Sequence, residues 1–487
     1  MNFKGLTLLA TLTLAATTTF AQIQQNSDHY VEYSDWSQLK KHQIPEWFKD
    51  AKFGIYAHLG PYCVPAFGNE WYVAQMYKNT GTHKHHVKTY GELDKFGYKD
   101  FIPMFKAEKF DAAEWAELFK NSGAKFAGTV TIHHDGFAMW DSKINPWNAK
   151  DMGPKQNIYG NLAHEIKKRD MKLVATFHHG INHTSYYKDE AKPNDLNDPK
   201  AKYLYGRIPA EEANERWFGQ IKEVIDAYEP DQIWFDFDIR VIDDKMKHKF
   251  ATYYYSKEKE WNKELIITRK NELFPTGVGV LDVERGSIDR LHDNLWQTDD
   301  AVAVNSWCWV ENLKLKTSKE LIHQLVDIVS KNGVLLLDAC PKADGTIPED
   351  QQKIFLEIGD FLKINGEAIY STRPFKIHGE GKNLYYGGRG LASSSAGKDT
   401  YVVFDSGDIR YTESKDGKFI YAFAMGWPED GLLLTKFKKM WGVTGVELLG
   451  SNSKIAWKVT SEGLSIKSEG VKKPANMCAY AWKISVK

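Results

Sequence analysis

The chain has 487 residues, with 64 Lys and Arg against 64 Asp and Glu, and so no formal net charge at neutral pH. That length exceeds one ordinary core and predicts two domains. The charge balance offers no electrostatic reason to bind nucleic acid or an anionic membrane surface. Aromatic content is 13%, including 16 Trp. This suits either a large core or a surface that lays indole faces on the C–H faces of sugars.

In chain order, Lys4 followed by the apolar stretch Leu6 to Ala16 and by Thr19-Phe20-Ala21 has the layout of an export signal. Residues 1–21 are therefore expected to be removed, leaving a periplasmic or secreted protein that begins near Gln22. The apolar run is too short to cross a bilayer, so no membrane insertion is expected after cleavage. Cys63, Cys308, Cys340 and Cys478 are scattered without a CxxC pair. Buried free thiols are expected over disulfides, and neither a metal site nor a cofactor is expected.

From about 45 to 370, helical and strand-like segments alternate. Phe53 to Ala57 predicts a strand. Asp111 to Asn121 predicts a helix capped by Asp111 and ended by Gly123. The strand Ala124 to Ile132, the helix Asn161 to Lys168 and the strand Lys172 to Phe177 follow. A helix from Pro209 carries Phe218, Ile221, Ile225 and Tyr228 on one face and stops at Pro230. Strands are then expected at Gln232 to Phe237 and Glu264 to Ile267. A helix from Thr317 to Ser330 and a strand at Val334 to Leu337 close the region. This alternation implies parallel strands with crossover helices, either in a closed barrel or in an open sheet. His58, His133, His134, His178, His179 and Asp236 all fall at C-terminal strand ends, which a barrel gathers at one mouth. The expected fold is α/β: a (β/α)8 TIM-like barrel over 22–370, then a C-terminal antiparallel β-sandwich over 371–487. For the sandwich, short strands are expected at Tyr401 to Phe404, Ile409 to Thr412, Phe419 to Ala424, Val446 to Leu449, Ile455 to Val459, Leu464 to Lys467 and Ala479 to Val486.

Asp236 closes the buried stretch Ile233-Trp234-Phe235-Asp236, where a carboxylate is either a helix cap or a rigidly held nucleophile. Asp238 shares its face by period two, so the stretch alone does not choose between them. His133 and His134 suit donors to sugar hydroxyls better than ligands of one metal, because neighbours in an extended chain point to opposite sides. Glu70-Trp71-Tyr72 pairs a carboxylate with rings, the composition of a sugar pocket.

Four stretches resemble the α-L-fucosidase family, glycoside hydrolase family 29. They are AKFGIYAHLGPYCVPAFGNEWYVAQMY (51–77), TIHHDGFAMWDS (131–142), IWFD (233–236) and LVDIVSKNGVLLLDACPKADGTIPE (325–349). The resemblance implies an exo-acting, retaining α-L-fucosidase working by double displacement on a fucosylated oligosaccharide or polysaccharide. Asp236 matches the nucleophile. The acid/base is assigned to Glu284, with Asp282 and Asp299 as alternatives; Gln297, an amide, cannot donate a carboxyl proton. His58, Glu70, Trp71, His133, His134, His179, Arg269 and Trp307 are expected around the sugar. Leu59 and His178-His179 depart from many relatives. Two other readings stay open: a glycosidase for a related sugar such as α-L-galactose, and a non-catalytic glycan-binding protein.

Overall fold

The computed structural model describes residues 35–270, 273–384, 402–437, 441–475 and 477–487. The expected export signal lies outside them, as do Tyr401 and the side chain of Asp238. Eight parallel strands close a barrel in sequential order. They are β1 (Phe53–Ala57), β2 (Phe126–Ile132), β3 (Lys172–Phe177), β4 (Gln232–Phe235), β5 (Ile266–Lys270), β6 (Val280–Asp282), β7 (Trp296–Ala301) and β8 (Gly333–Ala339). Closure is made by β8 pairing with β1, with Tyr56 opposite Asp338. All residues of these strands but Lys172 and Leu281 are buried, as expected for strands covered on both faces.

Six helices cover the barrel: α1 (Ala112–Asn121), α2 (Ile158–Lys168), α3 (Ala210–Tyr228), α4 (Asp244–Trp261), α5 (Ser318–Ser330) and α6 (Glu349–Asn365). Their ends follow local chemistry. Asp111 accepts hydrogen bonds from the backbone of Ala113 and Glu114 at the start of α1. Thr317 and Glu320 form a reciprocal capping box on α5. Gly123, with φ of +88°, turns the chain after α1, where a side chain would be strained.

Two barrel strands differ from the sequence expectation. β6 and β7 carry no recognisable strand signature, because β6 has three residues and β7 reads Trp-Gln-Thr-Asp-Asp-Ala. Among the described residues, no α-helix follows β5 or β6, so the alternating pattern lapses there as well.

After α6 the chain enters a sandwich. Its strands are β9 (Thr372–Glu380), β10 (Ile409–Ser414), β11 (Phe419–Ala424), β12 (Leu432–Leu434), β13 (Gly445–Leu448), β14 (Trp457–Val459), β15 (Leu464–Ile466) and β16 (Tyr480–Ser485). One sheet runs β13-β16-β11-β10-β9 and the other β12-β15-β14, with antiparallel pairing throughout. Residues 402–404 form no strand, and β12 was not anticipated. The sheet of β11 and β16 faces the barrel: Phe404, Tyr421, Phe423, Ala479 and Ala481 belong to the same apolar core as the barrel helices. Trp482 is fully buried in the sandwich's own core. The four cysteines are free thiols.

Candidate active site

Strand alternation aims the site. On β4, Gln232 and Trp234 face the barrel axis, and Asp236 follows directly on the same side. On β5 the inward pair is Thr268 and Lys270. Gln232 Nε2 donates to Thr268 Oγ1 and to Gln297 Oε1, both at 2.8 Å, so the interior here is a hydrogen-bonded polar layer. Above it opens a pocket lined by Asp236, Lys270, Glu284, four histidines and several aromatic rings.

Lys270 Nζ is the hub. It lies 3.1 Å from Asp236 Oδ1, 3.0 Å from Glu284 Oε2 and 3.3 Å from Asp299 Oδ2. Burial disfavours its charge, but Asp236, Asp299 and Glu284 outweigh burial and hold its pKa well above the ordinary lysine value. The converse holds for Asp236. Burial pushes its pKa up, yet Lys270 and the hydrogen bond from His134, whose Nε2 is 3.4 Å from Oδ2, hold it well below the usual carboxylate range. Asp236 is therefore an ionised carboxylate, fixed at a strand end and facing the pocket.

Beneath it, Asp282 and Asp299 form a buried pair. Burial and the charge of Asp282 push Asp299 well up, and burial raises Asp282 too. Gln297 Nε2 donates to Asp282 Oδ2 at 2.6 Å, and Tyr56 Oη donates to Asp299 Oδ2 at 3.4 Å. Burial thus raises both carboxyls of the pair that stands beside Lys270, with repulsion by Asp282 added at Asp299.

His58, His133, His134 and His178 ring the opposite wall. His58 Nδ1 shares a 2.8 Å hydrogen bond with Asp338 Oδ1 on β8, which fixes the ring and leaves Nε2 for the pocket. Burial lowers the His58 pKa to about 3, and burial holds His133 and His178 well below their ordinary value. These are neutral imidazoles, each able to donate one hydrogen bond and accept another. Among the described residues, Nδ1 of His133 and of His178 is buried without a hydrogen-bond partner. No three His, Cys, Asp or Glu side chains converge as metal ligands among the described residues.

Glu70 ties the remaining wall together. Its Oε2 accepts the backbone N–H of Trp307 at 3.0 Å and the Ser306 hydroxyl at 3.4 Å, while burial raises its pKa. The Trp307 ring lies 5.6 Å from His58 and carries the Arg285 guanidinium at 4.3 Å on its face. Trp71 packs 5.1 Å from His134 and 6.3 Å from Phe237.

Residues 17–367 match the family model "Alpha-L-fucosidase", and residues 404–487 match "Alpha-L-fucosidase C-terminal domain". The chain belongs to the α-L-fucosidase family. It is 28% identical over 436 residues to the tissue α-L-fucosidase of Rattus norvegicus, covering 88% of this chain and 86% of that one. It is 29% identical over 421 residues to the α-L-fucosidase of Dictyostelium discoideum, covering 82% of each. The crystal structure of Thermotoga maritima α-fucosidase in complex with fucose superposes with a TM-score of 0.72 at 27% identity, covering 92% of this chain and 99% of that one. The chain is thus a glycoside hydrolase of the α-L-fucosidase family, whose substrates are fucosylated glycans.

In this α-L-fucosidase family member, the pocket collects most of the residues expected from sequence: Asp236, Glu284, His58, Glu70, Trp71, His133, His134 and Trp307. Two expected residues lie elsewhere. Arg269 sits between inward Thr268 and Lys270, so it points outward, donates Nε–H to Val278 O at 3.4 Å and lines a separate cavity beside His42 and His292. His179 likewise alternates with inward His178 and faces a cavity against Trp217 on α3. Lys270 and Asp338 are not singled out by the sequence, and His178, expected at the barrel mouth, is not among the residues expected around the sugar. Each is one register step from an assigned residue or buried inside a strand, and knowing which way Thr268 and Thr176 face recovers Lys270 and His178.

Proposed function

We propose that this protein is an exo-acting, retaining α-L-fucosidase, with Asp236 as nucleophile and Glu284 as acid/base. The observation that carries this reading is the shared contact of both carboxylates with Lys270 Nζ. Two oxygens each about 3 Å from one nitrogen stand at most about 6 Å apart, a bound that admits the ~5–5.5 Å of a retaining pair and falls short of the ~6.5–9.5 Å that inversion requires. Asp236 attacks the anomeric carbon while Glu284 protonates the departing glycosidic oxygen. Glu284 then takes a proton from water, which releases fucose from the fucosyl-enzyme with net retention.

Position separates Glu284 from the two aspartates. Its side chain is 32% exposed at the mouth, where an aglycone and then a water must pass. Asp299 and Asp282 are 1% and 2% exposed and hydrogen-bonded in the floor. A pocket closed below by that floor admits a terminal sugar, which supports exo action. Neutral histidines suit the fucose hydroxyls, and the Trp307 and Trp234 rings suit its apolar methyl face. The N-terminal residue pattern supports export to the periplasm or medium.

The test is phenol release from a chromogenic α-L-fucoside, with the anomer formed first read by proton NMR. Wild type should release α-L-fucose, and Asp236→Ala should lose turnover. Azide should rescue Glu284→Ala with an α-L-fucosyl azide product, because azide needs no general base and displaces Asp236 from the β-linked fucosyl-enzyme on the face that water would use. First release of β-L-fucose by wild type would contradict the reading.

A further inference from the structure

We propose that Arg410, a residue of the C-terminal sandwich, is a positioning residue for Glu284, acting through Asp327 and Ser287. The inference rests on the acid/base reading of Glu284. Arg410 on β10 donates from Nε to Asp327 Oδ1 on α5 at 2.6 Å. The other oxygen, Asp327 Oδ2, accepts from the Ser287 hydroxyl at 2.7 Å and from Lys331 Nζ at 2.8 Å. The Asp327, Lys331 and Arg410 side chains are all 0% exposed. Ser287 lies three residues beyond Glu284 in the same loop.

That loop needs bracing from outside itself. It joins β6 to β7 without a crossover helix, and Arg285 within it has a left-handed φ of 45°. Its near end is tied to the barrel by Val283 N–H to Gln297 O at 2.9 Å and Arg285 N–H to Asp299 O at 2.8 Å. Its far end is held by Ser287 on Asp327. A carboxylate with both oxygens engaged cannot rotate, so Arg410 sets the orientation in which Oδ2 meets Ser287. The sandwich is shaped for this. Arg410 also donates to Asn383 O at 2.8 Å and lies 4.6 Å over Phe404. Opposite it, Gly379 on β9 lacks the Cβ that would stand 3.1 Å from Arg410 Nη1 and 2.3 Å from Ile409 O.

The competing account is that this buried charge cluster only fastens the two domains. A leaving-group comparison separates the two, because an activated aryl fucoside departs without a proton and an alkyl fucoside does not. The full chain is assayed as wild type, Ser287→Ala, Arg410→Lys, Arg410→Met and Glu284→Ala on both substrates, with melting temperatures measured in parallel. In Ser287→Ala and Arg410→Met, kcat/KM for the alkyl fucoside should fall by about tenfold or more, while that for the aryl fucoside stays within about threefold, as expected for misplacement of one reacting group. Arg410→Lys should fall between them and wild type. Where Arg410→Met does not fold, Ser287→Ala carries the test. A lowered melting temperature with the wild-type ratio of the two substrates would overturn the inference, as would equal losses on both. If Glu284→Ala itself keeps the wild-type ratio, the acid/base reading fails and the inference falls with it. If Glu284→Ala loses the ratio and Ser287→Ala does not, positioning alone is wrong.

Discussion

Lys270 Nζ stands 3.1 Å from Asp236 Oδ1, so the residue that ends β5 neutralises the residue that follows β4. A carboxylate buried beside apolar rings would otherwise pick up a proton and lose the charge that the proposed nucleophile needs. The same ammonium touches Glu284 and Asp299, which makes it the electrostatic centre of the pocket.

Removing that charge should therefore move the acid limb of the rate profile. In Lys270→Met, Asp236 loses its principal counter-ion and its pKa rises, so activity that requires ionised Asp236 should appear only at higher pH. We expect kcat/KM near neutrality to fall by about a hundredfold or more, the scale at which a removed buried charge partner acts. A pH series of kcat/KM checks this, with Lys270→Arg expected to keep the limb near that of wild type.

His178 and His179 are neighbours with different fates. His178 lines the pocket, and His179 faces α3. His178→Ala should lower kcat/KM at least about tenfold, the scale of one lost hydrogen bond to a buried substrate hydroxyl, whereas His179→Ala should stay within about threefold. Steady-state kinetics on an aryl fucoside decides between them.

Stability should fall on acidification for a specific reason. His58 and His179 have pKa values of about 3 in the fold against 6.5 as the ordinary value, because burial disfavours their charged forms. Between those limits the unfolded chain binds protons that the folded chain excludes. The stabilisation is complete above about pH 6.5 and is lost as pH falls toward 3, at up to about 1.4 kcal/mol per pH unit per histidine. Denaturant midpoints from pH 7 to 4.5 should decline, and His179→Gln should decline less steeply.

Glu70 holds the Trp307 backbone, so Glu70→Ala strands a buried N–H and loosens the indole wall. A loss of about 1–3 kcal/mol in stability is expected from the unsatisfied donor, together with a raised KM. Thermal melts and kinetics on the same preparation test both.

Much of the barrel is legible in the sequence where local rules act alone. Asp111 and the Thr317–Glu320 box mark helix starts, and the apolar runs at Phe53 and Lys172 mark buried strands. β6 and β7 are not legible, because Asp282, Gln297 and Asp299 face a polar interior that only the closed barrel creates. Asp236, the proposed nucleophile, is set apart from Asp238 in the sequence only by the family resemblance of Ile-Trp-Phe-Asp. Lys270 and His178 are hidden by parity, since an outward residue stands beside each and local spacing does not say which one faces the axis. The Arg410 connection is beyond local reading altogether, because 83 residues separate it from Asp327.

The proposed role of Asp236 as covalent nucleophile is tested most directly by trapping the intermediate. The enzyme would be incubated with a 2-deoxy-2-fluoro-α-L-fucosyl fluoride type of inactivator, digested, and the labelled peptide sequenced by mass spectrometry. One fluorofucosyl adduct is expected, on Asp236. A label on Glu284 or another carboxylate, or full turnover with no adduct and inverted product, would contradict it.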